Sequence, residues 1–279
     1  MTAKTAIKSG LKNLLLKTLW RFDAAALTSH LQRLGIEPGD TLIVHASWRT
    51  DSGFSGTPLD MITSLKVAIG SEGLLVMTSM PYQNESSRDF LQRKGSINIR
   101  RSPSKMGLLT EVFRRNAQTV RSLSPTHPLL ASGPEARTFI EGHEAALVPF
   151  GPDSPFQKLL DRNAKILCIG APFSTVTFSH FVEDRIAPYL PYSLYEKNIF
   201  QGVVIDTDNN EQSIPVKVLS SQANRLRREE RYVAALEQAG AIKCSRIGNC
   251  RLLLLECRDM VDVAETMYRR GQSFFDVPE

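Results

Sequence analysis

Long apolar runs, paired cysteines and internal repeats are all missing from this sequence of 279 residues, and each absence removes a class of function. No stretch approaches the roughly 20 consecutive apolar residues that span a bilayer, so a transmembrane protein is not expected. The N-terminus lacks a secretory pattern, because Leu14-Leu15-Leu16 runs into Lys17 without a small-residue cleavage site. Only four cysteines occur (Cys168, Cys244, Cys250, Cys257), with no Cys-x-x-Cys pair. They read as buried, reduced thiols of a cytoplasmic protein rather than as disulfides or a metal site. Ser52-Gly-Phe-Ser-Gly56 matches neither a P-loop nor a dinucleotide fingerprint. Its glycines could bring backbone N–H groups to a phosphate or simply connect two elements, and the sequence leaves both open. No low-complexity tract or linker divides the chain.

What remains is an ordinary globular composition, 42% apolar and 23% charged, with a formal net charge of +5. That surplus favours anionic partners. Nucleic acid is not expected, since the basic residues are scattered and no recognition motif accompanies them. Phosphorylated cofactors, phosphorylated substrates or an anionic membrane surface account for the charge equally well.

Residues 1–22 read as a separate basic amphipathic helix, with Lys4, Lys8 and Lys12 on one stripe and Ile7, Leu11, Leu14 and Leu15 on another. Packing on the domain is the first expectation for residues 1–20, and weak docking on the inner face of an anionic membrane the second. Residues 23–279 read as one domain. Helices are expected after Asp23, over residues 59–69, 107–116, 134–143, 155–161, 225–239 and 259–269. Strands are expected at residues 41–45, 73–77, 165–170, 241–246 and 251–256, with a hairpin over 202–206 and 213–219. Polar, basic residues 83–105 read as a long loop. Alternating strands and helices predict a layered α/β/α fold around a central mixed sheet.

Five histidines are candidates for proton transfer at neutral pH: His30, His45, His127, His143 and His180. His30 and His143 fall in helical patterns and read as surface or capping residues. His45 closes an apolar strand and His127 lies in a loop, so either could line a cleft. His180 stands apart because Glu183 follows three residues later, on the same face of a helix. That carboxylate could orient the imidazole or bind an incoming amine. No second histidine completes a zinc ligand set, so no metal is expected.

Several segments, in order, resemble the aminoglycoside 3-N-acetyltransferase (antibiotic N-acetyltransferase) family from about Leu31 onward. Leu34-Gly-Ile-Glu-Pro-Gly-Asp-Thr-Leu-Ile-Val-His-Ala-Ser-Trp-Arg49 is similar to the family's Gly-x-x-x-Gly-Asp-x-x-x-x-His-Ser/Ala-Ser opening. Met106-Gly-Leu-Leu-Thr-Glu-Val-Phe-Arg114, Arg121-Ser-Leu-Ser-Pro-Thr-His127 and Pro149-Phe-Gly-Pro-Asp-Ser-Pro155 follow. Ile166-Leu-Cys-Ile-Gly170 through Thr177-Phe-Ser-His-Phe-Val-Glu183 is the best match, and Arg258-Asp-Met-Val-Asp262 closes it.

The resemblance implies direct acyl transfer from acetyl-CoA or another acyl-CoA to a primary amine, with His180 as base and Glu183 as its companion. It places coenzyme A along His45, Ser47, Trp48 and Arg49 and along Ser102, Ser104, Met106 and Gly107, with Arg101 and Lys105 charged to meet phosphates. Thr78 and Ser79 are the expected region facing the thioester oxygen. Ser174, Thr177 and His127 would lie beside the acceptor. Ser174 and Val176 stand where family members commonly carry Asp and Asn, and Ser124 where a histidine is often found, so the acceptor itself is an open question. Arg225, Arg227, Arg228 and Arg231 form a basic run with no acidic counterpart of similar length. An anionic, nucleotide-linked amino sugar of surface-polysaccharide synthesis is therefore expected ahead of a polycationic aminoglycoside, whose acetylation would confer antibiotic resistance. Oligomeric state is left open, a homodimer included.

Overall fold

A computed structural model describes residues 18–278 of the chain. Most of the expected N-terminal helix lies outside the described residues; residues 18–20 form a turn, and Phe22 bridges to Phe54. In chain order the elements begin α1 (Ala24–Leu34), β1 (Thr41–Ala46), α2 (Pro58–Ile69), β2 (Leu74–Thr78), α3 (Ser87–Gln92) and β3 (Ser96–Asn98). They continue α4 (Leu108–Arg114), β4 (Val120–Arg121), β5 (Leu129–Ser132), α5 (Ala136–Ile140), α6 (Pro155–Asp161), β6 (Lys165–Ile169) and α7 (Phe178–Ile186). The last are β7 (Phe200–Ile205), β8 (Glu211–Val216), α8 (Ser221–Leu226), α9 (Glu229–Gln238), β9 (Lys243–Ile247), β10 (Cys250–Glu256) and α10 (Cys257–Arg269).

Seven strands form the central sheet in the order β4-β5-β2-β1-β6-β10-β9. The middle three, β2, β1 and β6, run parallel, and the strands outside them pair antiparallel. The middle strands are covered on both faces, which is why their sequences are nearly unbroken apolar runs. Alternate side chains enter two cores. Leu42, Val44, Leu75, Met77 and Leu167 pack against Leu27 and Leu31 of α1, Leu65 of α2 and Phe113 of α4. Ile43, Val76, Ile166 and Cys168 face Phe156 of α6, Phe181 of α7, Leu236 of α9 and Met260 of α10. The result is the three-layer α/β/α arrangement with a mixed sheet.

Local chemistry sets the helix ends. Asp23 accepts from Ala26 N at 2.8 Å to start α1, and Gly35 ends it at φ +115°. Thr57 and Asp60 cap each other's backbone at the start of α2, with Pro58 at its first turn.

Two expectations are corrected. Residues 83–105 are not one loop: Ser86 and Asp89 form a capping box for α3, and β3 follows. β3 joins the β7–β8 hairpin in a second sheet, ordered β3-β7-β8, with its own apolar cluster of Tyr82, Phe90, Leu91, Ile97, Val216 and Val218. β-Propensity was hidden because Ser96-Ile97-Asn98 has one apolar residue. Gly202 of β7 sits so close to Pro125 that a Cβ would come within 2.3 Å of that ring, so this sheet backs the segment leading to His127. Likewise, residues 225–239 are two helices. Arg227 adopts extended backbone (φ −64°, ψ 133°) between α8 and α9, where it bridges to Phe275.

All four cysteines are free; Cys168, Cys250 and Cys257 are buried, while Cys244 is exposed. No helix among the described residues is long and apolar enough to cross a membrane.

Candidate active site

The carboxyl ends of the parallel strands open onto a cleft of about 720 Å³. It lies where β1 has β2 on one side and β6 on the other, the crevice in which open α/β sheets hold ligands. His45 and Ala46 from the end of β1, Thr78 from β2 and Ala171 after β6 form its floor. Tyr82 to Arg88 close one side, Lys105 to Leu108 another, and Ser174 to Thr177 with His180 a third.

His180 sits in the first turn of α7, its side chain 26% exposed and lining the cleft. Its Nδ1 lies 2.9 Å from Glu183 Oε2, as the i, i+3 spacing predicts. Glu183 is buried behind the cleft with a side chain only 3% exposed. Arg227 grips the same carboxylate from the other side, donating Nε to Oε1 at 2.6 Å and a terminal nitrogen to Oε2 at 2.7 Å. Burial pushes the Glu183 carboxyl up, but His180 and Arg227 outweigh it and hold the group below its ordinary value. An ionised carboxylate only accepts hydrogen bonds. Nδ1 therefore carries a proton, and no described residue bonds to Nε2 of this ring, which lines the cleft.

Two other rings line the cleft with unsatisfied nitrogens. His45 Nε2 and His127 Nδ1 are buried without a hydrogen-bond partner among the described residues. Burial holds His45 down to about 4, and His127 well below its ordinary value, so both are neutral. Phe150 packs on His127 and on His180, with centroids 4.5 and 5.1 Å apart, and the two imidazoles stand 6.5 Å from each other. Ser124 Oγ accepts from His127 N, which fixes the turn that presents the ring.

Of the residues singled out in the sequence, His45, Ser47, Trp48, Met106, Gly107, His127, Ser174, Thr177 and His180 share this cleft, and Glu183 stands behind it. Others do not. Ser79 is fully buried and its N–H is already donated to Pro128 O, so it is corrected as a donor toward a thioester oxygen; Thr78 alone of that pair lines the cleft. Ser102 and Ser104 are spent on local structure: Ser102 Oγ accepts from Asn98 N, and Ser104 Oγ from Met106 N. Arg49 pairs with Asp51 and faces a neighbouring hollow of about 210 Å³, shared with Arg246 and Arg251, and Ser47 lines both it and the cleft. His143 is corrected from surface or cap to core: it is 1% exposed, with Nδ1 on Ser122 Oγ and Nε2 on Pro149 O. His30 is half-buried against Ser245 Oγ.

The residue that sequence reasoning missed is Arg227 in its role as partner of Glu183. It was visible only as one member of a basic run, and no spacing rule links positions 183 and 227. Glu85 and Arg88 were likewise folded into the supposed loop, and Tyr82 stood just before it.

A three-layer α/β fold with an imidazole–carboxylate pair at its strand ends meets one more observation. The sequence profile of the aminoglycoside 3-N-acetyltransferase family matches residues 43–269. The chain belongs to that family. Aminoglycoside N(3)-acetyltransferase III of Serratia marcescens is 29% identical over 174 residues, which are 58% of this chain and 64% of that protein. Aminoglycoside N(3)-acetyltransferase VIII of Streptomyces fradiae is 28% identical over 190 residues, 63% of this chain and 66% of that protein. The matched region thus spans just under two thirds of either relative. In fold, a solved structure of AAC-IIIb in a binary complex with CoASH superposes with a TM-score of 0.74 at 21% identity, over 92% of this chain and 99% of that one.

Proposed function

We propose that this protein is an acyl-CoA-dependent N-acetyltransferase in which His180 takes the proton of an attacking amine. The observation that carries the reading is the bond from His180 Nδ1 to a buried, ionised Glu183, which leaves Nε2 free on the cleft side. The amine nitrogen bonds to the thioester carbonyl carbon as Nε2 takes its proton, and the carbon–sulfur bond then breaks. The proton passes to the departing thiolate, giving an amide and a thiol. A base so placed contributes about 10²–10⁴-fold in rate, and holding both reactants in one cleft adds more by orientation.

The residues present fit an acyl-CoA. Its pantetheine amides need polar partners, and His45 Nε2 is buried in the cleft without one. Its phosphates need cations, supplied by Lys105 at the cleft and by Arg49, Arg246 and Arg251 in the adjoining hollow.

For the acceptor, family membership and the relatives' names favour an aminoglycoside. One observation favours a second reading, a less cationic or nucleotide-linked amino sugar. Among the described residues lining the cleft Glu85 is the single acidic one, and Arg93 already binds it at two oxygens. Arg88, Lys105 and Arg227 line the same cleft. A polycation would meet no free carboxylate there. Thiol release from acetyl-CoA, measured against aminoglycosides and nucleotide-linked amino sugars side by side, decides between them. Turnover confined to one panel selects that acceptor class, and turnover that survives His180→Ala undamaged sinks the base assignment.

A further inference from the structure

Arg227 has no place in the sequence pattern that marks the site, yet it is held there by several independent contacts. α8 breaks at this residue, and the chain end clamps the break: Arg228 N donates to Phe274 O, and Asp276 N to Leu226 O. Arg228 and Arg231 both pair with the Asp276 carboxylate. The Arg227 guanidinium sits over the Phe275 ring, 5.8 Å from its centroid, and Asn224 Oδ1 takes the nitrogen that Glu183 does not. A fork this constrained meets both oxygens of Glu183 in fixed geometry.

We infer that Arg227 is a positioning residue that sets the tautomer of His180 by keeping Glu183 an ionised, acceptor-only group in one orientation. The inference rests on His180 being the base. A carboxylate as buried as Glu183 has two ways to have its charge neutralised or offset if Arg227 is lost. It can bind a proton itself, and a carboxylic acid then donates to Nδ1, which moves the ring proton to Nε2. Alternatively the imidazole binds the proton and becomes cationic. Both outcomes add one proton to the pair, and both put a proton on Nε2, where the amine's proton has to go. The pair recovers only when the pH is high enough to strip that proton, and the transition belongs to the pair rather than to either group.

The tyrosines facing the pair titrate above it, His127 below it, and two carboxyls also stand near. Tyr192 and Tyr195 from the segment after α7, Tyr232 of α9 and Tyr268 of α10 are all raised by burial, Tyr268 to about 12. His127 is held neutral by burial. Glu229, at the start of α9, is raised by burial, and so is Asp184, which accepts from the Tyr195 hydroxyl at 2.7 Å.

The test is the pH profile of kcat/KM for Arg227→Met and Arg227→Lys beside the parent protein. Removing an opposite charge this close moves such a transition by about one pH unit or more. For Arg227→Met the acidic limb should move up by that much, with rates far below the parent at pH 7 and within a few-fold of it near pH 9. Arg227→Lys, which keeps the charge without the fork, should fall between. A profile lowered uniformly, with its midpoint unmoved, overturns the inference and leaves Arg227 a packing residue. The ring of His180, followed by nitrogen NMR in both variants, gives a readout independent of turnover: Nδ1 protonated and Nε2 bare at pH 7 in Arg227→Met would equally overturn it. Failure of the base reading is distinguishable, because His180→Ala would then retain turnover whatever Arg227 does.

Discussion

Two histidines sit at opposite ends of one aromatic chain, and their surroundings differ in every respect that matters for chemistry. His143 packs on Phe156, Phe156 on Phe150, and Phe150 on His180. The His143 ring has a neutral partner at each nitrogen, a serine hydroxyl and a backbone carbonyl, and it is sealed from solvent. Burial holds it down to about 4, so it is a neutral strut joining the end of β4 to the turn before α6. His180 has a charged partner at one nitrogen and none among the described residues at the other, and it borders the cleft. A histidine can be spent on structure or kept for proton transfer, and the distinction lies in what its second nitrogen touches.

The largest effect that tests this contrast is expected at His180. His180→Ala should lower kcat by about 10²–10⁴-fold, with the fold retained because the ring is partly exposed and with acyl-CoA binding, read by titration calorimetry, largely unchanged. Loss of binding to the same extent as turnover would show that the ring holds substrate rather than moves a proton. Glu183→Gln should follow. Its amide can donate to Nδ1 and so favour the wrong tautomer, lowering kcat about 10²-fold. It also strands the Arg227 charge, and breaking a buried pair from one side costs about 3–5 kcal/mol. Chemical denaturation should therefore show a clear stability loss in Glu183→Gln that His180→Ala lacks; equal stability in the two would mean that Glu183 and Arg227 are not coupled as described.

How much of this was legible beforehand divides along the same line. Unbroken apolar runs exposed the parallel strands because each is buried on both faces, and Asp23 and Gly35 announced the ends of α1 through their own local bonds. His180 and Glu183 were legible because a helix brings i and i+3 together. What escaped depends on contacts distant in sequence. Glu183 and Arg227 meet only when α7 packs near the break between α8 and α9. Ser79 looked available until β5 claimed its neighbourhood and Pro128 took its N–H. His143 carried no sign of burial, since its partners Ser122 and Pro149 belong to separate segments. Residues 83–105 misled because short amphipathic elements at the edge of a second sheet have loop-like composition.

The smallest effect should appear at His143, in stability alone and only as the pH falls. Its folded value, about 4, lies below the ordinary 6.5 of the unfolded chain. Between those values the unfolded state binds more protons, so stability rises with pH through this window and drains away as pH drops from 6.5 toward 4. From pH 7 to pH 5 one such group contributes about 2 kcal/mol of that loss. His45, also held to about 4, and His127 act in the same direction. His143→Gln removes the titrating ring while keeping a polar side chain for Ser122 and Pro149. Denaturation at both pH values should find the variant somewhat less stable than the parent at pH 7, by about 1–3 kcal/mol for imperfect hydrogen bonds, yet losing about 2 kcal/mol less on going to pH 5. Turnover per folded molecule at pH 7 should not change. Parallel losses in the two proteins would mean that His143 is charged in the folded state, and a drop in turnover would mean that the two ends of the aromatic chain are not separate after all.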